Sequence, residues 1–579
     1  MAIRPDTLAM DGEEMSGDAT TEPRKAEIGR NAAIWYAQDG FDPTAKGING
    51  RRVAGESFLK GFVRHADVEE FVLLAHGAGE IEPVKALAAE LRPSKAVRHA
   101  PLLRPNTIAP VQTVFFPSPN YVSESWRRAA YGTAAWSICG ITHTTSTHAV
   151  MQGFFDLRMA PVTDWDAVIC TSQSVLSSVT YQMDRIDDHI RAHLKAVPPP
   201  RPMLPVIPLG VHCADFEPDA AKGAALRAKL GAGPQDVVFT TIARLTPHEK
   251  FDPLPIYLAM QAAQRQLPGQ KLFVAFCGQF RDDFSRKVFT EGAAKLMPDV
   301  GFALLDGASA DDRKAALSGA DVFMFLIDNI QETFGLAPLE GMAAGLPLLV
   351  SDWDGMKDTV SNDVGFRITT RTLPGQYYAQ EALRYQGGTD SYVQYCASTS
   401  ALTELDLPEL TARILQLARD PDLRRRMGAA GKARVQAMYD WAQVVPQMQA
   451  LWGEQDARRK AGTAQSLRYK ADVLPIAPSP MHLFGSYPTE QVTFEKTRLV
   501  LADPTGRPSL TDVLATRNYQ GLKRVFAAPD HIAQVLRAVI AAGPAGCDFA
   551  QLEAGSGLKG APVERIAIWL LKYGFVRRA

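Results

Sequence analysis

Cysteine is scarce in this chain of 579 residues: there are six, Cys139, Cys170, Cys213, Cys277, Cys396 and Cys547, and no two stand in a C-x-x-C or other metal-ligand spacing. Scattered this way they exclude a disulfide framework and a thiolate metal centre, and they fit reduced, buried thiols. Long apolar runs are lacking too. None reaches the roughly 18 residues that a bilayer-spanning helix needs, and the start, MAIRPDTLAMDGEEMSGDATTEPRK, has no apolar signal region. An excess of either charge is the third absence: 62 Lys+Arg face 63 Asp+Glu, a formal net charge of -1. No global field therefore favours nucleic acid or an anionic membrane. What is present is an ordinary globular composition, 46% hydrophobic, in a chain long enough for three or four domains of about 150 residues. A soluble, cytoplasmic protein is expected.

The apolar runs are short and punctuated by helical stretches. AAIWYA, EFVLLAH, VQTVFF, WSICGITH, DAVICTS and LPVIPLG read as one series of strands. VVFTTIAR, KLFVAFCG, GFALLD, DVFMFLID, LPLLVSD and GFRITT read as a second. After a polar tail over 1–28, the fold class is α/β: one domain over 29–212 and another over 213–457, with VHCADFEPDAAKGAALRAKLGAGPQ as a linker at the start of the second. A crevice between two such sheets is a natural ligand site.

One stretch carries most of the chemistry: QETFGLAPLEGMAAGLPLLVSDWDG, from Gln331 to Gly355. Pro338 is tolerated only in the first turn of a helix, and Gly345 with Pro347 ends that helix. LPLLVSD then follows as a buried strand, so DVFMFLID, loop, helix and LPLLVSD form a βαβ unit whose loop lies at the carboxyl ends of parallel strands. Thr333 is the candidate N-cap. The N–H groups of Phe334, Gly335 and Leu336 face out of the helix start, which makes an anion site. Glu332 precedes the helix and Glu340 lies within it; ionised, both accept hydrogen bonds from hydroxyls. A ligand with a phosphate and several hydroxyls suits this set, although either glutamate alone is equally an ordinary solvated residue near a helix start.

Other residues join this picture by position. Arg244 and Lys250, in TIARLTPHEKFD, follow the first strand of the second domain, where two cations can clamp a diphosphate. GFDPTAKGINGRRVAGESF follows AAIWYA, and its Gly40, Gly47 and Gly50 allow close approach of the backbone to a ligand. His143 ends the strand WSICGITH, facing the crevice.

Together these residues carry a resemblance. The second domain looks like the family 4 retaining glycosyltransferases of GT-B fold, whose E-x7-E signature stands here as Glu332 to Glu340; ARLTPHEK, DAVICTS and IPLGVHCADF match as well. The resemblance spans about residues 30–457. It implies a GT-B architecture, two Rossmann-like domains facing across a crevice, and a donor that is a nucleotide-sugar. By that resemblance Glu332, His143, Arg244 and Lys250 are catalytic: Glu332 contacts the transferred sugar, the Arg and Lys hold the diphosphate, and His143 helps at the reacting centre. Glu340 binds the ribose, and Thr333, Phe334, Gly335, Leu336 and Gly50 complete the donor site. Asp354 and Lys357, in SDWDGMKD, stand near enough to assist. No metal and no cofactor is implied, since the nucleotide-sugar is a substrate. The acceptor is a carbohydrate, lipid-linked or other small molecule. Retention of configuration also comes from the resemblance, because the rule on carboxylate separation belongs to glycosidases.

The remainder is less specific. LPGQYYAQEALRYQGGTDSYVQYCAST, within 371–402, is longer than that family usually has and reads as an acceptor-side insertion or a surface excursion. Residues 458–528 carry no assignment, and 529–579 read as helix, helix, turn, helix and strand, similar to winged-helix modules, giving a small, mostly helical C-terminal domain. Its GSGLKG follows a helix and no strand, so it fails as a dinucleotide motif. APVERIAIWLLKYG offers only Arg565 and Lys572 as cations, which argues against nucleic acid and for packing or protein contact. DRIDDHIRAHLKAV leaves open a peripheral contact with the inner face of a membrane. Two alternatives stand beside the transferase: a phosphorylase-like enzyme of the same architecture, and a non-catalytic protein that binds through its C-terminal module.

Overall fold

A computed structural model describes residues 30–41, 50–102, 104–108, 110–494, 496–517 and 526–579. The expected tail, and Gly47 in its glycine-rich loop, lie outside the described residues. The chain divides into two compact units, one through Lys470 and one from Ala471 to Ala579.

The first unit holds two six-stranded parallel sheets. One consists of β1 (Ala33–Trp35), β2 (Glu70–Ala75), β3 (Ala96–Pro101), β4 (Thr113–Phe116), β5 (Ser137–Ile141) and β6 (Ala167–Ile169), in the order β3-β2-β1-β4-β5-β6. The other consists of β7 (Val237–Ile242), β8 (Leu272–Gly278), β9 (Gly301–Asp306), β10 (Val322–Phe325), β11 (Leu348–Ser351) and β12 (Gly365–Ile368), in the order β12-β11-β10-β7-β8-β9. Read from opposite edges these are one topology, the doubly wound order 3-2-1-4-5-6, so both halves are Rossmann-like. The central strands are apolar on both faces because helices cover both; β5, β10 and β11 are buried throughout.

Strand β3, AVRHAP, escaped the sequence reading for a physical reason. It is an edge strand and half solvated, so it carries polar residues, among them Arg98, whose guanidinium forks onto Glu70 of β2 at 2.7–3.0 Å. LPVIPLG is no strand: Pro205 and Pro208 have no N–H to donate, and only the single bridges of Met203 to Ala167 and Val206 to Cys170 form. The expected linker is also corrected. Within it Ala220–Leu230 is a helix, capped by Asp219 and ended by left-handed Gly231. It lies so close to the helix Ala310–Gly319 that a Cβ on Gly223 would be 2.5 Å from the Ser318 carbonyl oxygen.

Two chain crossings join the halves. Val211 N–H donates to the Tyr439 carbonyl (2.9 Å) and Trp441 N–H to the Val211 carbonyl (3.2 Å), so the crossings run side by side. Beyond them the helix Trp441–Ala461 packs Trp441, Val444, Met448 and Trp452 into the core of the first sheet, beside Phe58, Phe62 and Phe115.

Residues 371–402 fold as a helical hairpin, Ala379–Gln386 and Tyr392–Ser400, whose base is closed by the antiparallel pair β13 (Thr370–Arg371) and β14 (Glu404–Leu405). From this hairpin Tyr385 and Tyr392 reach the segment that follows β5.

The second unit has its own core of Val535, Ile566, Trp569 and Leu570, set by helices Pro529–Ala542, Phe549–Ser556 and Ala561–Lys572. Its strands β15 (Leu499–Leu501) and β16 (Val576–Arg578) pair antiparallel. In GSGLKG, Gly557 ends one helix in the left-handed region and Gly560 begins the next.

Candidate active site

In the second sheet β7 and β10 are neighbours although the chain leaves them toward opposite edges, so a crevice opens at their carboxyl ends. The loop after β7 carries Arg244 and Lys250, and the loop after β10 carries Glu332. Asn329, fully buried, ties the two together: its side-chain amide donates to the His248 carbonyl (2.8 Å), and its side-chain oxygen accepts from Gln331 N–H (3.0 Å). The Lys250 ammonium then meets the Glu332 carboxylate directly and also lies 5.1 Å from the centre of the Phe325 ring. Arg244 donates to the Gln331 side chain at 3.0 Å, one residue from Glu332.

Glu332 does more than pair with Lys250. Its Oε1 accepts from the N–H of Gly335 (3.0 Å) and of Thr333 (3.4 Å). The Thr333 cap expected from sequence is thereby overturned: the helix is Leu336–Ala343, its N-cap is Gly335 at φ +84°, and Thr333 stands two residues too early. Glycine alone takes that left-handed turn without strain, and the carboxylate of Glu332 supplies the cap oxygen. The expected outward N–H of Gly335 is therefore already engaged. Burial pushes the Glu332 carboxyl up, but the Lys250 charge and the N–H bonds of Gly335 and Phe334 outweigh it, and the carboxyl is held below its ordinary value.

Glu340 is in the opposite situation. It lies on the helix Leu336–Ala343, its carboxyl group makes no hydrogen bond among the described residues, and burial pushes it up to about 7 against the pull of Arg313. Two further acids share this behaviour. Burial pushes Asp328, which is 3% exposed, up to about 7 although the Asp252 N–H donates to it at 3.3 Å. Asp354, at φ +44°, is pushed to about 7 by burial and by the neighbouring Glu332 charge. Asp328 was not singled out from sequence, although its place at the end of an apolar strand was a usable signal. Asn329 offered no such signal.

The first half closes against this cluster. Ser172 donates to Asp354 (3.0 Å), Gln173 N–H to Asp358 (2.7 Å) and Thr171 Oγ1 to the Thr333 carbonyl (3.4 Å). His143 stands two residues past β5, on the wall of a cavity in the first sheet, and Gly50 opens the helix Gly50–His65. The hairpin also reaches the His143 segment. The Tyr392 hydroxyl shares hydrogen bonds with Thr144 (3.0 Å) and Ser146 (2.8 Å), and the Tyr385 hydroxyl accepts from His148 N–H (2.7 Å). Arg244, Lys250, Glu332 and residues 333–336 thus gather in one loop cluster with Glu340 on its helix, while His143 and Gly50 belong to the first sheet. Such a cluster can hold an anion by two cations and hydroxyls by two carboxyls. Among the described residues no group of His, Cys, Asp and Glu is placed to hold a metal ion.

Residues 224–376, which contain Arg244, Lys250, Glu332 and Glu340, match the family model for glycosyl transferases group 1. The particular relatives are narrower matches. The chain is 25% identical over 194 residues to the GDP-mannose-dependent alpha-(1-6)-phosphatidylinositol monomannoside mannosyltransferase of Mycobacterium tuberculosis, covering 32% of this chain and 48% of that one. It is 29% identical over 170 residues to the UDP-Gal:alpha-D-GlcNAc-diphosphoundecaprenol alpha-1,3-galactosyltransferase of Escherichia coli, covering 28% and 41%. The chain thus spans less than half the length of these relatives. Among solved structures, HepE of Anabaena in complex with UDP is similar at 15% identity and a TM-score of 0.47, over 73% of this chain and 100% of that one. Sucrose-phosphate synthase of Thermosynechococcus elongatus is similar at 16% identity and 0.43, over 74% and 99%.

Proposed function

We propose that the protein transfers a hexosyl group from a nucleotide-sugar donor to a carbohydrate, lipid-linked or other small acceptor, with retention of configuration as in family 4 enzymes. The observation that carries this reading is the Lys250–Glu332 pair at the start of the helix Leu336–Ala343, with Arg244 beside it and an unengaged Glu340 within the helix. Arg244 offers a planar fork and Lys250 a point charge to a diphosphate. Glu340 accepts from ribose hydroxyls, and Glu332 orients the sugar. In the transfer the bond from the anomeric carbon to the diphosphate oxygen breaks, and the nucleoside diphosphate leaves with the bonding electrons. The acceptor oxygen bonds to that carbon, and its proton passes to the departing phosphate. The two cations stabilise the charge that develops, which is electrostatic catalysis requiring no metal. His143 acts from the acceptor side.

Both relatives named above are transferases with a nucleotide-sugar in their names, GDP-mannose and UDP-galactose, and both act on lipid-bearing acceptors. No described helix is long and apolar enough to cross a membrane. A cytoplasmic protein with peripheral membrane contact, its C-terminal unit reserved for a protein partner, accords with this reading.

The test is a thermal-shift screen with UDP, GDP, ADP and CDP, with and without EDTA, repeated on Lys250→Ala and Glu340→Ala. One nucleotide should raise Tm irrespective of EDTA, by about 2.7 kcal/mol of stabilisation at a hundred times its Kd, and both variants should lose the effect. Silence with all four at millimolar concentration would sink the reading.

A further inference from the structure

The first sheet carries a half-open cavity of about 250 Å³ at the carboxyl ends of β1 and β4, the point where its own strand order reverses. The wall is almost all carbon, with Trp35, Phe58, Phe116, Ile141, Ile207 and Trp441 as its larger members. Apart from the two indoles, its polar side chains among the described residues are Ser118 and His143.

The frame of this cavity is tightly packed around Trp441. The Trp441 indole N–H donates to Ser57 Oγ at 2.8 Å, and the ring lies so close to two glycines that a Cβ on Gly61 or Gly210 would be 2.4 or 2.5 Å from it. The helix Trp441–Ala461 and the helix Gly50–His65 are therefore locked together around the space. A dry cavity of about 150 Å³ lined by Leu, Ile and Phe admits a benzene ring. The larger space here fits a fused pair of rings or a ring with a short branch.

We infer that this cavity seats the apolar body of the acceptor, a compact hydroxylated aromatic or alicyclic scaffold whose reacting hydroxyl is carried on that scaffold and meets His143. The inference rests on the transferase reading and narrows it. Two features select this occupant. A sugar ring pushed into these walls would leave several hydroxyls without partners, each costing roughly 1–3 kcal/mol. A long-chain lipid carries its transferable hydroxyl on a polar headgroup away from its chain, whereas here the apolar wall and His143 border the same space. A pocket of carbon walls with a few placed polar groups is the usual form of a small-molecule site.

The experiment is isothermal titration of the full chain with 2-naphthol, with methyl α-glucopyranoside and with farnesyl phosphate. It is repeated on Ala37→Leu, which adds side chain at the cavity wall two residues past β1, and on Ile141→Trp, which fills the cavity from β5. Naphthol should bind the wild type with a sub-millimolar Kd and bind both variants at least tenfold more weakly, while the glucoside shows no heat. The nucleotide that shifts the wild-type Tm must shift both variants equally, which shows them folded. Naphthol binding that is absent, or unchanged in both folded variants, overturns the inference and leaves the donor reading standing. Nucleotide silence with naphthol binding intact removes the donor reading and, with it, the acceptor role, leaving the cavity as a ring-binding site. Farnesyl phosphate that binds more tightly than naphthol and is lost in both variants also overturns the inference, since the occupant is then a lipid chain.

Discussion

Glu332 and Glu340 show how one loop and one helix turn can set two identical side chains to opposite behaviour. Glu332 is held below its ordinary value of 4.5, so it stabilises the fold at neutral pH, and that contribution is lost as pH falls through its folded value. Lys250→Ala should strip the pair and leave a largely buried, uncompensated carboxylate. Since both side chains keep some exposure, 21% and 13%, a loss of roughly 1–3 kcal/mol at pH 7 is expected, less than for a fully buried pair. Urea unfolding from pH 7 to pH 3 should show this difference shrinking in acid; a constant difference would mean that Lys250 contributes something other than the pair. Glu340, pushed up to about 7, runs the other way. The folded state holds a proton that the unfolded chain has released, so stability falls as pH rises from about 4.5 to 7, and the penalty is complete above 7. Glu340→Gln should match the wild type near pH 4.5 and exceed it at pH 8 by roughly 3 kcal/mol at most. Equal melting curves at both pH values would refute the burial argument. The residue types of this site were legible in QETFGLAPLEG, because strand, proline and glycine fix where the loop must lie. The capping role of Glu332 was not, since it depends on the left-handed turn at Gly335.

Among the elements, the hairpin over 379–400 has contact partners that the sequence did not reveal. Nothing in YAQEALRYQGGTDSYVQYCAST marks Tyr385 and Tyr392 as the residues that reach the loop after β5, because the contact joins positions more than 230 apart in the chain. The hydroxyl of Tyr385 satisfies His148 N–H at the first position of the helix His148–Met159, an end where N–H groups have no partner within the helix. Tyr392→Phe keeps the ring and removes the bonds to Thr144 and Ser146, so a loss of about 1–2 kcal/mol is expected. Hydrogen exchange across 142–150 should quicken while β7 to β11 stay protected; unchanged exchange there would show that the hairpin does not hold this segment. Of the twelve strands in the two sheets, eleven carry apolar runs that sequence reveals. β3 does not, because it is half solvated and carries Arg98 and His99.

Seen whole, the first unit is two copies of one topology whose chain crosses between them twice. The final helix returns to the first sheet, and Trp452, fully buried between Phe62 and Phe115 at ring distances of 5.7 and 6.1 Å, anchors it there. Trp452→Ala should cost about 3–5 kcal/mol, since the surrounding rings cannot collapse into so large a space. Denaturant unfolding measures it, and a loss below about 1 kcal/mol would show that the return helix is not part of the first core. By itself the sequence determined the class, two α/β halves with cations and carboxylates at strand ends, because apolar period, proline and glycine act locally and are read locally. Only the tertiary structure decided which of those groups meet. The Lys250–Glu332 pair, the Asn329 tie between loops, the tyrosines over the His143 segment and the apolar cavity beneath it all join residues distant in the chain. Their partners are fixed by packing, which no local pattern encodes.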